Sequence, residues 1–151
     1  MLIMHTLVTQ VRVRRLLRLH AAEVDRMRHG TLPRRVRSAA VRKLLDATAS
    51  VRAGWAAELA AVEPDASGGR STAGPSRTAL AGLQRHVHRS LLAAETAIAS
   101  LEHTGADLDR ETAEFREATV PLLFFLRGLE QATDPAAEAY LNEPEPLQHS
   151  A

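Results

Sequence analysis

Residues 33–62 read PRRVRSAAVRKLLDATASVRAGWAAELAAV, and the spacing of their apolar side chains decides the fold class. Ala40, Leu44, Ala47, Val51, Trp55, Leu59 and Val62 recur at steps of three, four or seven, which places them on one stripe of a helix with near-heptad spacing. One such helix cannot hide its stripe alone. The flanking sequence therefore has to supply partners of the same kind.

Upstream, Val13, Leu16, Leu17, His20, Val24 and Met27 form a second stripe in a helix predicted over residues 3–29, with Arg12, Arg14, Arg15, Arg18 and Arg26 around the rest of its circumference. Gly30 is expected to cap it, and Thr31 followed by Pro33 begins the next helix after a turn short enough to force an antiparallel return. Downstream, residues 63–76 are EPDASGGRSTAGPS, a Gly/Pro/Ser stretch with no apolar stripe to bury, read as a mobile crossover between two hairpins. A third helix over 77–103 carries Leu80, Leu83, Val87, Leu91, Ala94, Ile98 and Leu101, and Gly105 ends it. The fourth, over 109–132, starts at Asp107 or Asp109, has Glu111 and Glu114 favourably placed against its dipole, and carries Phe115, Ala118, Leu122, Leu126 and Leu129.

Asp134 and Pro135 repeat the pattern of a cap followed by proline, so a short fifth helix is predicted over 135–141, ahead of a disordered tail over 143–151. The expected fold is all-α. It is one domain over 1–142, an antiparallel four-helix bundle of two hairpins joined by a flexible loop.

Composition agrees. Aromatic residues are 3% of the 151, and the apolar share is mostly Ala, Leu and Val, which suits close helix packing and little else. Without cysteine there is no disulfide framework, thiolate metal site or thiol nucleophile. Arg outnumbers Lys by 18 to 1, an actinobacterial-like bias typical of GC-rich genomes. The opening MLIMHTLVTQ lacks a basic segment ahead of its apolar residues, and no apolar run approaches the ~20 residues that span a bilayer. A cytoplasmic protein is the expectation.

Charge is unevenly divided. Residues 1–62 hold 12 basic side chains against four acids, whereas residues 63–151 hold 7 against 14. Either the two hairpins attract one another, or the Arg face of the first helix (Arg12, Arg14, Arg15, Arg18, Arg26) binds a polyanion such as nucleic acid, polyphosphate or an anionic membrane. The near-neutral total and the scarcity of aromatic side chains for base stacking argue against nucleic acid.

Motifs for chemistry are missing. There is no phosphate-binding glycine loop, no nucleophile elbow and no Glu-x-x-His pair of the di-iron bundles. His86 and His88, two apart on a helix, point about 200° from one another and cannot share an ion. No catalytic residue, cofactor or metal is expected.

Two local features remain. His20 interrupts an apolar stripe and, with Trp55, marks a candidate polar site or small-molecule pocket in the core. Val120, Pro121, Leu123, Phe124 and Phe125 belong to a run that is apolar all round the helix, with Pro121 expected to kink or split it. That girdle exceeds what one core stripe requires. It predicts a non-enzymatic module that binds another protein or a second copy of itself.

Overall fold

The computed structural model describes residues 4–62 and 76–131. They form four helices: α1 (Leu7–Arg28), α2 (Arg34–Ala60), α3 (Arg77–Ser100) and α4 (Leu108–Gln131). Each of α1–α2, α2–α3, α3–α4 and α4–α1 is packed together, so the helices close into a ring around one core. The predicted fifth helix over 135–141 and the tail over 143–151 lie outside the described residues, as does all of the loop except Ser76.

Cross-helix contacts fix the directions. Val8 meets Glu58 and Arg12 meets Ser50; Arg37 meets Leu101 and Trp55 meets Gln84; Thr6 meets Leu126 and Arg28 meets Asp109. Neighbours are therefore antiparallel throughout. Because the end of α2 and the start of α3 lie at the same end of the bundle, no crossover along its length is needed between the hairpins.

The core stripes of α1, α2 and α4 continue through positions occupied by polar residues, whereas that of α3 is apolar throughout. In α2 a buried seam runs through Arg37, Val41, Leu44, Thr48, Val51, Trp55 and Glu58 at alternating steps of four and three, with Ala40 and Gly54 buried beside it. In α1 the seam is Thr9, Val13, Leu16, His20, Glu23 and Met27, with Gln10 and Val24 buried beside it. These spacings keep each seam facing its neighbours, as in coiled-coil packing. The apolar members fill the interior, where Leu16, Leu44, Leu91, Ile98, Phe115 and Leu126 are almost completely covered.

Most of the polar members find partners, on their own helix or on the next. Thr48 and Thr119 donate back to the carbonyls of Leu44 and Phe115, one turn earlier. Arg37 Nε donates to the Leu101 carbonyl at 2.6 Å, satisfying an acceptor that the end of α3 would otherwise leave free. Glu58 does the same for donors. Its carboxylate accepts from the backbone N–H of Val8 (2.8 Å) and Thr9 (3.1 Å) and from the Thr9 hydroxyl. The α1 start has no side-chain cap from Thr6 and no acid in its first turn, so this anion comes from another helix.

Three helix ends differ from expectation. α1 begins at Leu7 because residues 4–6 pack across α4 instead, with Met4 buried and the Thr6 hydroxyl donating to the Leu126 carbonyl. Neither Gly30 nor Gly105 adopts a left-handed cap: α1 closes with the His29 N–H on the Asp25 carbonyl, and α3 ends at Ser100, five residues before Gly105. Ser76 caps α3 by accepting from Ala79 N–H, and Asp107 caps α4 by accepting from Arg110 N–H.

Pro121 does not split α4, which runs unbroken from Leu108 to Gln131. Its ring lies on the exposed side, and the carbonyl that loses a donor belongs to exposed Glu117, where water can replace the missing bond.

Replacing Glu58 tests the inter-helix cap. Since a hydrogen bond to a charged group contributes about 1.5–3 kcal/mol, Glu58→Ala should lower the urea-unfolding free energy by about 2–4 kcal/mol and Glu58→Gln by less. A loss below about 0.5 kcal/mol for the alanine variant, typical of an ordinary surface change, would contradict the assigned role.

Candidate functional site

Three places were marked by the sequence: the Arg face of α1, the apolar girdle of α4, and the His20 region. The structure separates them. It also changes the membership of each.

Arg12, Arg15 and Leu19 project from α1 toward α2, where they meet Ala39, Arg42, Lys43, Asp46, Ala47 and Ser50. The space between is an open groove of about 370 Å³. Arg12 is anchored within it, Nη1 donating to the Ser50 carbonyl at 2.9 Å. Gly54 leaves room for it: a Cβ at that position would stand 3.3 Å from both Cδ and Nη1 of Arg12, a tight approach that would press the side chain outward by a few tenths of an ångström. Four cations and a single carboxylate, Asp46, thus line one groove.

The other predicted arginines are not part of this groove. Arg14 and Arg18 are exposed elsewhere on α1, and Arg26 is bonded to buried Glu23 at 2.6 Å. Glu23 also lies 3.4 Å from Lys43. Arg42 and Lys43 were missed because they belong to another helix, and only the α1–α2 register brings them opposite Arg12 and Arg15. Part of the basic hairpin's charge is engaged by the acidic one, through Arg28 with Asp109 and Arg52 with Glu95.

The α4 girdle is more fully used than its sequence suggested. Leu123 and Phe125 pack against the core, and the Phe125 ring lies 4.3 Å from the imidazole of His86, an exposed residue whose pKa is lowered by partial desolvation and by Arg89. Val120 is half-buried and Pro121 exposed. Phe124 is the large outward side chain of the five, 61% exposed, with the Arg127 guanidinium 5.8 Å from its ring centroid. Of the five residues predicted as an interface, Leu123 and Phe125 are thus partly taken up by the core, and Phe124 is the large apolar side chain left outward.

What the sequence analysis missed lies on α1. Val11 is 51% exposed, and Leu7 and Val8 are close to half exposed. The Thr6–Leu126 and Gln10–Glu130 contacts put these residues at the same end of the bundle as Phe124. The available signal was the short apolar run ahead of the Arg-rich segment, which the core stripe does not absorb.

His20 and Trp55 do not form one site. Trp55 lies at the level of Val11, about nine residues or 13 Å along α1 from His20, and its indole N–H donates to Gln84 Oε1 at 2.6 Å. His20 instead stacks on Phe115, with ring centroids 3.7 Å apart and planes 2° from parallel. Its Nε2 has no hydrogen-bond partner, contrary to the expectation for a buried histidine. Glu111 Oε1 and Thr112 Oγ1, within about one turn of Phe115, are likewise buried and unpartnered. Burial lowers the imidazole from 6.5 to about 4, with nearby Arg116 adding to the effect.

His20 should make stability depend on pH in a definite direction. Above pH 6.5 it is neutral in both folded and unfolded chains; below that, the unfolded chain takes up a proton that the folded chain resists until about pH 4. The contribution present above 6.5 is therefore lost as the pH falls toward 4, by about 3 kcal/mol at most. His20→Leu should show a correspondingly smaller fall in urea-unfolding free energy between pH 7 and pH 4. An equal fall in both proteins would exclude His20 as its source.

Among the described residues, no group of three or more His, Asp or Glu side chains is placed to hold a metal ion, and no helix is long and apolar enough to cross a membrane. His86 and His88 are engaged separately, the first beside Phe125 and the second with Nδ1 3.2 Å from Arg52 Nη1. No protein-family profile, curated protein or solved structure matches this chain.

Proposed function

We propose that this chain is a non-enzymatic helical module that self-associates through the end of the bundle bearing Leu7, Val8, Val11 and Phe124. One observation carries the reading: four of the five large apolar side chains exposed among the described residues gather at this end, leaving only Leu92 elsewhere. Scattered exposed leucines are ordinary on a soluble domain, whereas a grouped set marks a contact surface.

The chemistry suits an isologous contact, in which one patch is used by both copies. Leu7 and Val11 lie one turn apart on the outer side of α1. Phe124 supplies an aromatic anchor from the adjacent helix, and Arg14 and Arg127 provide a polar border, the arrangement common at association surfaces. The helices beneath are held by a closed core. Association therefore requires no refolding.

Light scattering coupled to size-exclusion chromatography tests the proposal over a range of concentrations. The wild-type protein should form a dimer, and Phe124→Glu or Val11→Glu should raise its dissociation constant by at least about tenfold, since each removes an apolar contact of order 1.5 kcal/mol or more. A wild-type monomer at every concentration would defeat it. So would a dimer indifferent to both substitutions.

A further inference from the structure

We infer that the groove between α1 and α2 binds a compact oligophosphate, with Arg12, Arg15, Arg42 and Lys43 as its recognition residues. This site shares no residue with the proposed association surface. It stands or falls separately.

Shape comes first. The groove of about 370 Å³ is at the lower end of the roughly 300–1,000 Å³ that small-molecule sites occupy. A seam between two closely packed helices is too narrow for a nucleic-acid duplex. No aromatic side chain lines it, so the stacking surface that holds single-stranded bases is missing as well. A membrane headgroup layer is broad and would meet the outward Arg14 and Arg18 before it met the recessed Arg12.

Charge gives the ligand its sign and density. Two cations face two across the seam, with Asp46 as the single acid of the lining. Among the described residues, Arg15 and Arg42 have no carboxylate within 4.0 Å, and Lys43 reaches only the edge of Glu23, which Arg26 holds more closely. Arg12 is already ordered by Ser50 and its seat over Gly54, so part of the entropic cost of fixing a long side chain is met before any ligand arrives. Guanidinium groups suit phosphate because their paired N–H donors match two oxygens at once. Several linked phosphates would use several cations, whereas one simple anion could not.

Isothermal titration calorimetry with sodium tripolyphosphate at low salt tests the site. Wild-type protein should bind, more weakly as salt rises. Arg15→Ala combined with Arg42→Ala should weaken binding by at least about tenfold for each cation removed. Arg14→Ala combined with Arg18→Ala removes equal charge outside the groove and should change affinity by no more than about threefold. Asp46→Asn gives a gain-of-function arm that does not depend on damaging the protein, and should tighten binding severalfold. All the substituted residues are exposed, and circular dichroism verifies that each variant is helical.

The proposal is overturned if wild-type protein gives no binding at low salt, if the two arginine pairs weaken it equally, or if Asp46→Asn leaves it unchanged or weaker. Parallel titrations with phosphatidylserine vesicles and a short DNA duplex distinguish the macromolecular alternatives. Tighter binding to either, lost on substitution of Arg14 and Arg18, would assign recognition to the outer face of α1 instead.

Discussion

The carboxylate of Glu58 gripping the first free amides of α1 sets the height at which α1 lies on α2, and the surfaces of the hairpin follow from that height. A helix start presents unpaired N–H groups and a partial positive charge, and neither can be left against a packed neighbour. An anion inserted from the adjacent helix satisfies both. Once Val8 and Thr9 are tied to Glu58, Arg12 comes to lie over Gly54 and beside the Ser50 carbonyl, while Arg15 and Leu19 come to face Arg42, Lys43 and Asp46. A shift of one turn would bring a different set of residues together.

The other seams are pinned in related ways. Arg37 binds the terminal carbonyl of Leu101 to set α2 against α3. The N-terminal segment ties itself to α4 through Thr6, Gln10 and Glu130, with the Gln10 amide donating at 2.7 Å to Glu130 and at 2.9 Å to the Thr6 hydroxyl. Apolar burial supplies most of the driving force in such a bundle, but it is non-directional and tolerates sliding. Polar groups on the core stripes add direction, since each must meet its partner or be stranded without water. His20, like the nearby Glu111 Oε1 and Thr112 Oγ1, departs from this. It is stacked flat on Phe115, kept neutral by burial, and left with one unpartnered nitrogen.

The two proposed surfaces occupy different levels of the molecule and depend on different physics. The apolar one gathers at the end where α1 starts and α4 finishes, and it arises because those turns carry more apolar side chains than the core can use. The basic one lies farther along the α1–α2 seam, where alanines and Gly54 keep the helices close and long cationic side chains line the edge. One would be insensitive to salt and the other governed by it. Neither needs a moving part.

The order and approximate limits of the four described helices were legible in the sequence because an apolar stripe of period near 3.6 is a local property, readable from residues such as Ala40, Leu44, Val51 and Trp55 without knowledge of the partner. Asp107 and Ser76 could be read as neighbours of a helix start for the same reason. Glu58, Arg37 and Glu23 were passed over because a charged residue on a core stripe looks like an interruption until the group it satisfies is in view. Extending the four-and-three spacing through them would have predicted their burial, though not their partners. Which cations converge, which aromatic ring remains uncovered, and whether His20 meets Trp55 depend on the relative heights of separate helices. That alignment is fixed by contacts between residues far apart in the chain, such as Thr9 with Glu58, 49 positions away, and Thr6 with Glu130, 124 away, and only the tertiary structure decides it.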